Sequence, residues 1–190
     1  LISPSKYLQG AGEMKKIGTY ASNCGKKALV LISKGGYKRI GKMIEDSFAE
    51  STCEVVFDYF NGECCNSEID RLVNIVKENQ CDLVIGIGGG KIFDTAKAVA
   101  YYAGTPVFIC PTIASTDAPC SALSVVYTEE GIFENAIEID ITSKPLTLTY
   151  TPNTVKVEEN AQNISAVPTL VGSSEGLTYA IKSVSPTSSS

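Results

Sequence analysis

Three consecutive glycines followed by a lysine carry the strongest chemical signal in this sequence. Gly88, Gly89, Gly90 and Lys91 follow the apolar run VIGI and precede a helix-like stretch. Glycine residues leave their backbone N–H groups accessible, and these groups, together with the positive end of a helix dipole, favour the binding of an anion. Lys91 would add a cation. The pattern therefore favours phosphate binding, although glycines also permit a tight turn between a strand and a helix.

The glycine run matches neither of the two standard phosphate-binding fingerprints. In a Walker A motif, Ile85 would stand at the first glycine position and Ile92 at the Ser/Thr position. In the dinucleotide motif GxGxxG, Gly86 and Gly88 fit, but Lys91 occupies the third glycine position. The sequence thus predicts an anion-binding turn of another type.

The overall composition describes a globular protein and argues against several classes of partner. The chain has 190 residues, of which 44% are hydrophobic, and a net charge of −5. This charge argues against a nucleic-acid surface. No apolar run reaches the roughly 18 residues of a membrane helix, and the first ten residues lack a signal-peptide pattern. We expect a cytoplasmic protein without nucleic-acid or membrane partners. The sequence leaves open whether the chain forms a homo-oligomer.

Cysteine and histidine usage limits the catalytic chemistry. The seven cysteines lie within the first 120 residues and form no CxxC pair. Reduced, mostly buried cysteines are therefore favoured over a metal or redox site at Cys64 and Cys65. The chain contains no histidine, which excludes Ser-His-Asp and Cys-His catalysis and histidine-based metal sites within it.

Alternating strand and helix patterns over residues 1–134 must position the glycine turn. The stretches between the apolar runs repeat hydrophobic residues at helical spacing, and the runs themselves are typical of buried strands: ALVLI, EVVFDYF, DLVIGIG and PVFIC. This order predicts an α/β fold with a doubly wound parallel sheet. Ligands bind at the carboxyl ends of such strands, where Thr112, Ser115 and Asp117 follow PVFIC. Asp117 could equally be an ordinary turn residue.

The composition changes after about residue 135. Residues 135–190 are rich in serine and threonine and alternate polar with apolar residues in IEIDI, LTLTYT, TVKVEE and LTYAIKSV. This alternation predicts a second, small β-rich segment that is sandwich-like or incomplete. A disordered Ser/Thr linker is the less favoured alternative.

Two long motifs within residues 1–134 resemble a known family. GIGGGKIFDTAKA and PTIASTDAPCSALSVVYTEEG are similar to the iron-containing alcohol dehydrogenases, and among these to the glycerol dehydrogenases. SPSKYLQGAGEMKKIGTY and FNGECCNSEIDRLV support the same resemblance. It implies a modified Rossmann-type domain, NAD as cofactor and glycerol as substrate, oxidised reversibly to dihydroxyacetone.

The resemblance also implies roles for individual residues. Asp117 matches an aspartate associated with the polyol and the nicotinamide end. Ser33 stands where many members carry an aspartate that contacts the adenosine ribose, so the preference for NAD over NADP is less secure. The other cofactor-binding residues that the resemblance implies are Gly88, Gly89, Gly90, Lys91, Asp94, Thr112, Ser115, Ser121, Leu123 and Tyr127.

The resemblance ends near residue 134, before the family's helical metal-binding domain. That domain supplies an aspartate and two histidines to a divalent metal, zinc or iron, and this chain has no histidine. Our hypothesis is that this chain is the NAD-binding portion of a glycerol dehydrogenase-like oxidoreductase and has little or no activity by itself.

The alternative hypothesis is a non-catalytic nucleotide-binding or interaction protein with a β-sandwich partner module. It draws on residues 135–190, which weakly resemble immunoglobulin-like modules of bacterial surface proteins. Whether the chain is a fragment, an artificial join, a gene rearrangement or a genuine fusion stays open.

Overall fold

The structure is a computed structural model, which describes residues 6–113 and 117–139 and the backbone of 147–150 and 168–171. The chain divides into two compact units, Leu1–Ile141 and Thr142–Ser190. Among the described residues, no helix is long and apolar enough to cross a bilayer. All seven cysteines are free, and four of them are buried: Cys53, Cys64, Cys65 and Cys81.

Helices and strands alternate through most of the first unit. A short 3-10 turn (Glu13–Lys16) leads into helix α1 (Ile17–Ser22). The elements that follow are β1 (Lys27–Ile32), α2 (Lys34–Ala49), β2 (Glu54–Tyr59), α3 (Asn66–Glu78), β3 (Leu83–Gly88), α4 (Gly90–Ala103) and β4 (Val107–Pro111). The four apolar runs identified in the sequence therefore all form strands.

The four strands form one parallel sheet in the order β2-β1-β3-β4. β1 and β3 are neighbours, with Ala28 opposite Leu83 and Ile32 opposite Ile87. Alternate side chains of β1 pack on opposite faces of the sheet, Leu29 against α3 and α4, and Val30 against α1 and α2. Because helices cover both faces, the predicted doubly wound parallel sheet is confirmed.

Asp82 joins the amino ends of the two central strands. Its carboxylate accepts the backbone N–H of Lys26 at 2.8 and 2.9 Å and that of Lys27 at 2.9 Å. The N–H groups of Lys27 and Lys26 stabilise the ionised carboxylate and thereby lower the pKa of Asp82. Asp82 therefore stabilises the folded chain in its charged form.

We expect Asp82→Asn to lower the free energy of unfolding by about 1 kcal/mol at pH 7, since the exposed carboxylate is partly screened by solvent. A lowered pKa contributes stability above the unfolded-state value and loses it as the pH falls through the folded-state value. The difference between the two proteins should therefore be constant from about pH 7 to about pH 5 and shrink below about pH 4. Urea unfolding of the 190-residue chain across this range measures it.

The matched control for this prediction is Asp46→Asn, which removes an exposed carboxylate paired with Lys42 four residues earlier in α2. This change should cost less than about 0.5 kcal/mol. Equal losses for the two asparagine variants, or a difference at Asp82 that grows as the pH falls, would contradict the assignment.

An antiparallel hairpin follows β4 within the first unit. Its strands are β5 (Leu123–Tyr127) and β6 (Phe133–Glu138). β6 spans position 134, where the sequence analysis places the domain boundary, and contains the beginning of the IEIDI run. The division into residues 1–134 and 135–190 stays a prediction.

The second unit contains one described pair of antiparallel strands. β7 (Thr147–Tyr150) pairs with β8 (Pro168–Val171), with Thr147 opposite Val171. β7 lies in the predicted strand LTLTYT. TVKVEE and LTYAIKSV lie outside the described residues. The described part of the C-terminal segment is therefore a small antiparallel sheet, as its alternating pattern indicates.

Candidate functional site

The glycine turn lies at the point where the connections of the sheet diverge. Helix α2 leads from β1 to β2 on one side, whereas α4 leads from β3 to β4 on the other. Ser33 follows β1 directly, and Gly88 ends β3 beside it, because Ile32 and Ile87 are in register. Open α/β sheets bind ligands in the crevice at such a switch point, beyond the carboxyl ends of the strands.

The glycines of this turn serve different purposes. A Cβ atom on Gly86 would lie 2.7 Å from the Cβ of Ala96, so this glycine lets α4 pack closely on β3. Gly88 has a φ of 156°, and a Cβ there would lie 2.6 Å from Cδ1 of Ile92. Both glycines are therefore explained by the packing of the protein itself.

For Gly89, the described residues provide no such packing explanation. Its backbone is extended, with φ −122° and ψ −172°, a conformation that any residue adopts. Among the described residues, an added Cβ would meet only Cδ1 of Ile113, at 4.0 Å. No other side chain of residues 6–113 or 117–139 occupies the Cβ position of Gly89, so as far as these residues go a ligand can approach its bare backbone closely.

The beginning of α4 supplies donors beside this open position. Gly89 is the N-cap residue of the 14-residue helix, and it has no side chain that could accept a hydrogen bond from the first turn. The first intrahelical bond runs from the N–H of Phe93 to the carbonyl of Gly89. The N–H groups of the preceding turn have no acceptor within the helix, and the helix dipole makes this end positive. The open space at Gly89 is thus suited to an anionic group.

Lys91 stands at the mouth of the turn with its charge paired. Its side chain is 55% exposed, and Nζ lies 2.5 Å from Oε2 of Glu63 and 5.8 Å from the ring centroid of Tyr127. The hydrogen bond to Glu63 raises the pKa of Lys91. An incoming anion must therefore compete with Glu63 for this lysine. Sequence reasoning missed Glu63, whose only signal is its place in the FNGECC motif after β2.

Asp94 lies one helical turn further along α4, and its carboxylate faces inward. Oδ1 is 2.9 Å from Nζ of Lys97, and the two side chains are 13% and 3% exposed. Burial raises the pKa of Asp94, while the bond from Lys97 and the backbone N–H of Val125 oppose the rise. Contact of Asp94 with a cofactor stays a prediction.

Lys97 is a site residue that sequence reasoning missed. Its Nζ donates to the backbone carbonyls of Ala118 at 3.2 Å and Ser121 at 3.3 Å, and to that of Leu123. Its signal in the sequence is the i, i+3 spacing from Asp94 in the DTAK motif. Through this lysine, α4 is bonded to the segment that carries the predicted residues Ser121 and Leu123.

Of the remaining predicted residues, Thr112 and Ser33 follow the carboxyl ends of β4 and β1, at the same edge of the sheet as the glycine turn. The N–H and Oγ1 of Thr112 donate to the carbonyl of Gly88 at 3.1 and 3.2 Å, which holds Thr112 beside the turn. Oγ of Ser33 accepts the N–H of Gly36 at 3.0 Å and caps α2. The carbonyl of Asp117 accepts the N–H groups of the turn residues Cys120 and Ser121. Ser115 lies outside the described residues.

The residues present do not fit the divalent metal that the resemblance implies. Within the described ranges, no three side chains of His, Cys, Asp or Glu are placed to hold a metal ion. The whole chain also lacks histidine. The described part of the chain therefore provides no set of ligands for that metal.

Comparison with known proteins gives two family matches. Residues 4–147 match iron-containing alcohol dehydrogenase, and residues 148–190 match the family described as BT4661, third Ig-like domain. Among curated proteins, the glycerol dehydrogenase of Escherichia coli O6:H1 is 48% identical over 132 residues, which cover 70% of this chain and 36% of that protein. The chain therefore spans little more than a third of the length of this relative.

Solved structures that resemble this chain include two of glycerol dehydrogenases. A probable glycerol dehydrogenase from Sinorhizobium meliloti 1021 superimposes with a TM-score of 0.68 at 44% identity, covering 73% of this chain and 38% of that one. The glycerol dehydrogenase of Schizosaccharomyces pombe superimposes with a TM-score of 0.64 at 34% identity, covering 74% of this chain and 36% of that one.

Proposed function

This chain belongs to the iron-containing alcohol dehydrogenase family, and we propose that it forms the NAD-binding part of a glycerol dehydrogenase-like oxidoreductase. The family match confirms the resemblance drawn from the motifs of residues 1–134. The reaction we propose for the whole enzyme is the oxidation of glycerol to dihydroxyacetone, in which NAD accepts the hydride. The observation that carries the proposal is the open backbone of Gly89 at the switch point of the sheet.

The pyrophosphate of the dinucleotide is proposed to bind at Gly88, Gly89 and Gly90. The space over Gly89 and the N–H groups at the beginning of α4 support this placement. Lys91 would exchange its bond to Glu63 for the phosphate charge. The N–H groups at the beginning of α4 would then orient the dinucleotide, and Lys91 would balance its charge.

The rest of the dinucleotide is proposed to lie along the segment after β4. Thr112 is held beside the glycine turn by its bonds to Gly88, and Tyr127 is held beside Lys91. Ser121 and Leu123 lie between them along the chain. Asp117 is proposed to accept hydrogen bonds from polyol hydroxyls. The free cysteines fit a reducing compartment, and a cytoplasmic location is part of the proposal.

Titration of the 190-residue chain with NADH tests the proposal. We expect saturable binding with a Kd below about 1 mM, seen as a change in the fluorescence of the dihydronicotinamide. ADP, which keeps the pyrophosphate, should compete, whereas adenosine at the same concentration should not. No binding at millimolar NADH would overturn the proposal.

A turnover assay tests the proposal that this chain is only the NAD-binding part of the enzyme and is not catalytic by itself. Because the residues present do not form the implied metal site, we expect glycerol and NAD to give no NADH above background, with or without added Zn²⁺ or Fe²⁺. Glycerol-dependent NADH formation that rises with metal would show that this chain is catalytic by itself.

The residue after β1 predicts weak discrimination between NADH and NADPH. Ser33 follows the strand next to the glycine turn, and its hydroxyl caps α2. A carboxylate at such a position accepts bonds from the ribose hydroxyls and repels a 2′-phosphate, and serine provides no such repulsion. We expect the two coenzymes to bind with Kd values within about fivefold of each other.

Ser33→Asp should restore the discrimination. Aspartate also caps helices well, so the fold is preserved, and we expect NADPH to bind about tenfold more weakly relative to NADH. Thr52→Asp adds the same charge before β2, at the opposite end of the strands, and should leave the ratio unchanged. If Ser33→Asp also leaves it unchanged, the ribose does not lie beside β1.

A further inference from the structure

Lys97 is the one buried lysine or arginine in the part of the chain that the structure describes. Its side chain is 3% exposed, and Nζ bonds to the carboxylate of Asp94 at 2.9 Å. The same nitrogen donates to the carbonyls of Ala118, Ser121 and Leu123. A buried ammonium is stable only when its donors are bonded and its charge is balanced. Lys97 meets both conditions through one loop and one carboxylate.

The geometry of these bonds constrains the backbone of the loop. Three carbonyls from positions 118, 121 and 123 converge on one nitrogen, so the chain between them must curve around it. The N–H of Leu123 also donates to Oγ of Ser121 at 3.0 Å. Beyond the loop, Oγ of Ser124 donates to the carbonyl of Asp94 at 2.7 Å. Residues 118–124 are thus bonded to α4 at several points.

We propose that Lys97 is a positioning residue that shapes the loop 118–123 into one wall of the dinucleotide site. This inference rests on the proposed function, because the loop meets a dinucleotide only if the chain binds one. Lys97 bonds to no residue of the glycine turn in the described structure. It acts through the backbone of the loop, and its contribution is therefore separable from that of the glycines.

This separation predicts different effects on two ligands. ADP contains the pyrophosphate and needs the glycine turn, whereas NADH also extends along the loop in our proposal. We expect Lys97→Met to weaken NADH binding about tenfold while the Kd for ADP changes less than about twofold. Methionine retains most of the apolar volume of the lysine stem and removes the donors. Lys77→Met, at an exposed position in α3, is the matched control and should change neither Kd.

Amide hydrogen exchange of the same proteins measures the loop directly. In Lys97→Met, the amides of residues 118–125 should exchange at least about tenfold faster than in the wild type, while those of β1 and β3 are unchanged. The double variant D94N/K97M removes the carboxylate charge left without its partner. It should regain part of the stability lost in Lys97→Met and keep the weakened NADH binding, because the carbonyls still lack their donor.

Several results would overturn the proposal. Unchanged NADH affinity in Lys97→Met does so, as does a parallel loss of ADP and NADH accompanied by faster exchange in β1 and β3, which indicates general destabilisation. Recovery of NADH affinity in D94N/K97M would assign the effect to the unpaired charge instead of the loop. If the wild type binds neither ligand, the proposed function itself has failed, whereas wild-type binding that Lys97→Met leaves intact rejects only the role of Lys97.

Discussion

Replacing Gly89 with valine is expected to weaken NADH binding by more than about tenfold while the chain stays folded. The backbone at this position is extended, which valine adopts readily. Its side chain would enter a space where the nearest atom, within the part of the chain that the structure describes, is Cδ1 of Ile113. Because that space is where we place the pyrophosphate, the valine methyl groups exclude the ligand. Fluorescence titration with NADH measures the effect.

Two comparisons separate this effect from instability. Valine is a poorer N-cap than glycine, so Gly89→Val should cost up to about 1 kcal/mol. Gly86→Ala is the structural contrast, since its Cβ would meet that of Ala96 at 2.7 Å, and overpacking of this kind costs about 1–3 kcal/mol. We expect Gly86→Ala to bind NADH normally while it is folded. Normal NADH binding by Gly89→Val would place the dinucleotide elsewhere.

Removal of the guanidinium of Arg71 is expected to lower the free energy of unfolding by about 3 kcal/mol. Nε and Nη2 donate to the two carboxylate oxygens of Glu68 at 2.7 and 3.0 Å, and Nη2 donates to Asp58 at 2.8 Å. The side chain of Glu68 is fully buried, while that of Arg71 is 41% exposed. Arg71→Met therefore leaves a buried carboxylate without its cation, and the exposure of the arginine places the cost at the low end of the usual range.

The network around Arg71 also connects the fold to the candidate site. Glu68 accepts the N–H of Asn61 at 3.1 Å and so fixes the chain after β2, two residues before Glu63. The double variant E68Q/R71M keeps an acceptor for Asn61 without a buried charge, and it should recover at least half of the loss. Lys42→Met breaks a solvent-exposed pair with Asp46 and should cost far less than Arg71→Met, because solvent screens exposed ion pairs. Urea unfolding that gives Arg71→Met and Lys42→Met equal costs would refute the argument.

Much of the first unit could be predicted from sequence because its signals are local. A strand buried on both faces needs a continuous apolar run, and each of the four runs became a strand of the sheet. The glycine run predicted an anion-binding turn because three glycines between an apolar run and a helix-like stretch are a local pattern. The Ser/Thr-rich segment is harder to predict, since its alternation indicates strands but gives no partner for any of them.

By itself, the sequence determined the doubly wound sheet, the family and the glycine turn as the candidate site. Only the tertiary structure separated Gly89, which is open, from Gly86 and Gly88, which pack on α4. It also paired Lys91 with Glu63 and Lys97 with a loop more than twenty residues away along the chain. These pairs depend on which strands are neighbours and in what register. That information resides in the packing of the whole sheet, because no local pattern of residue types encodes a contact between distant segments.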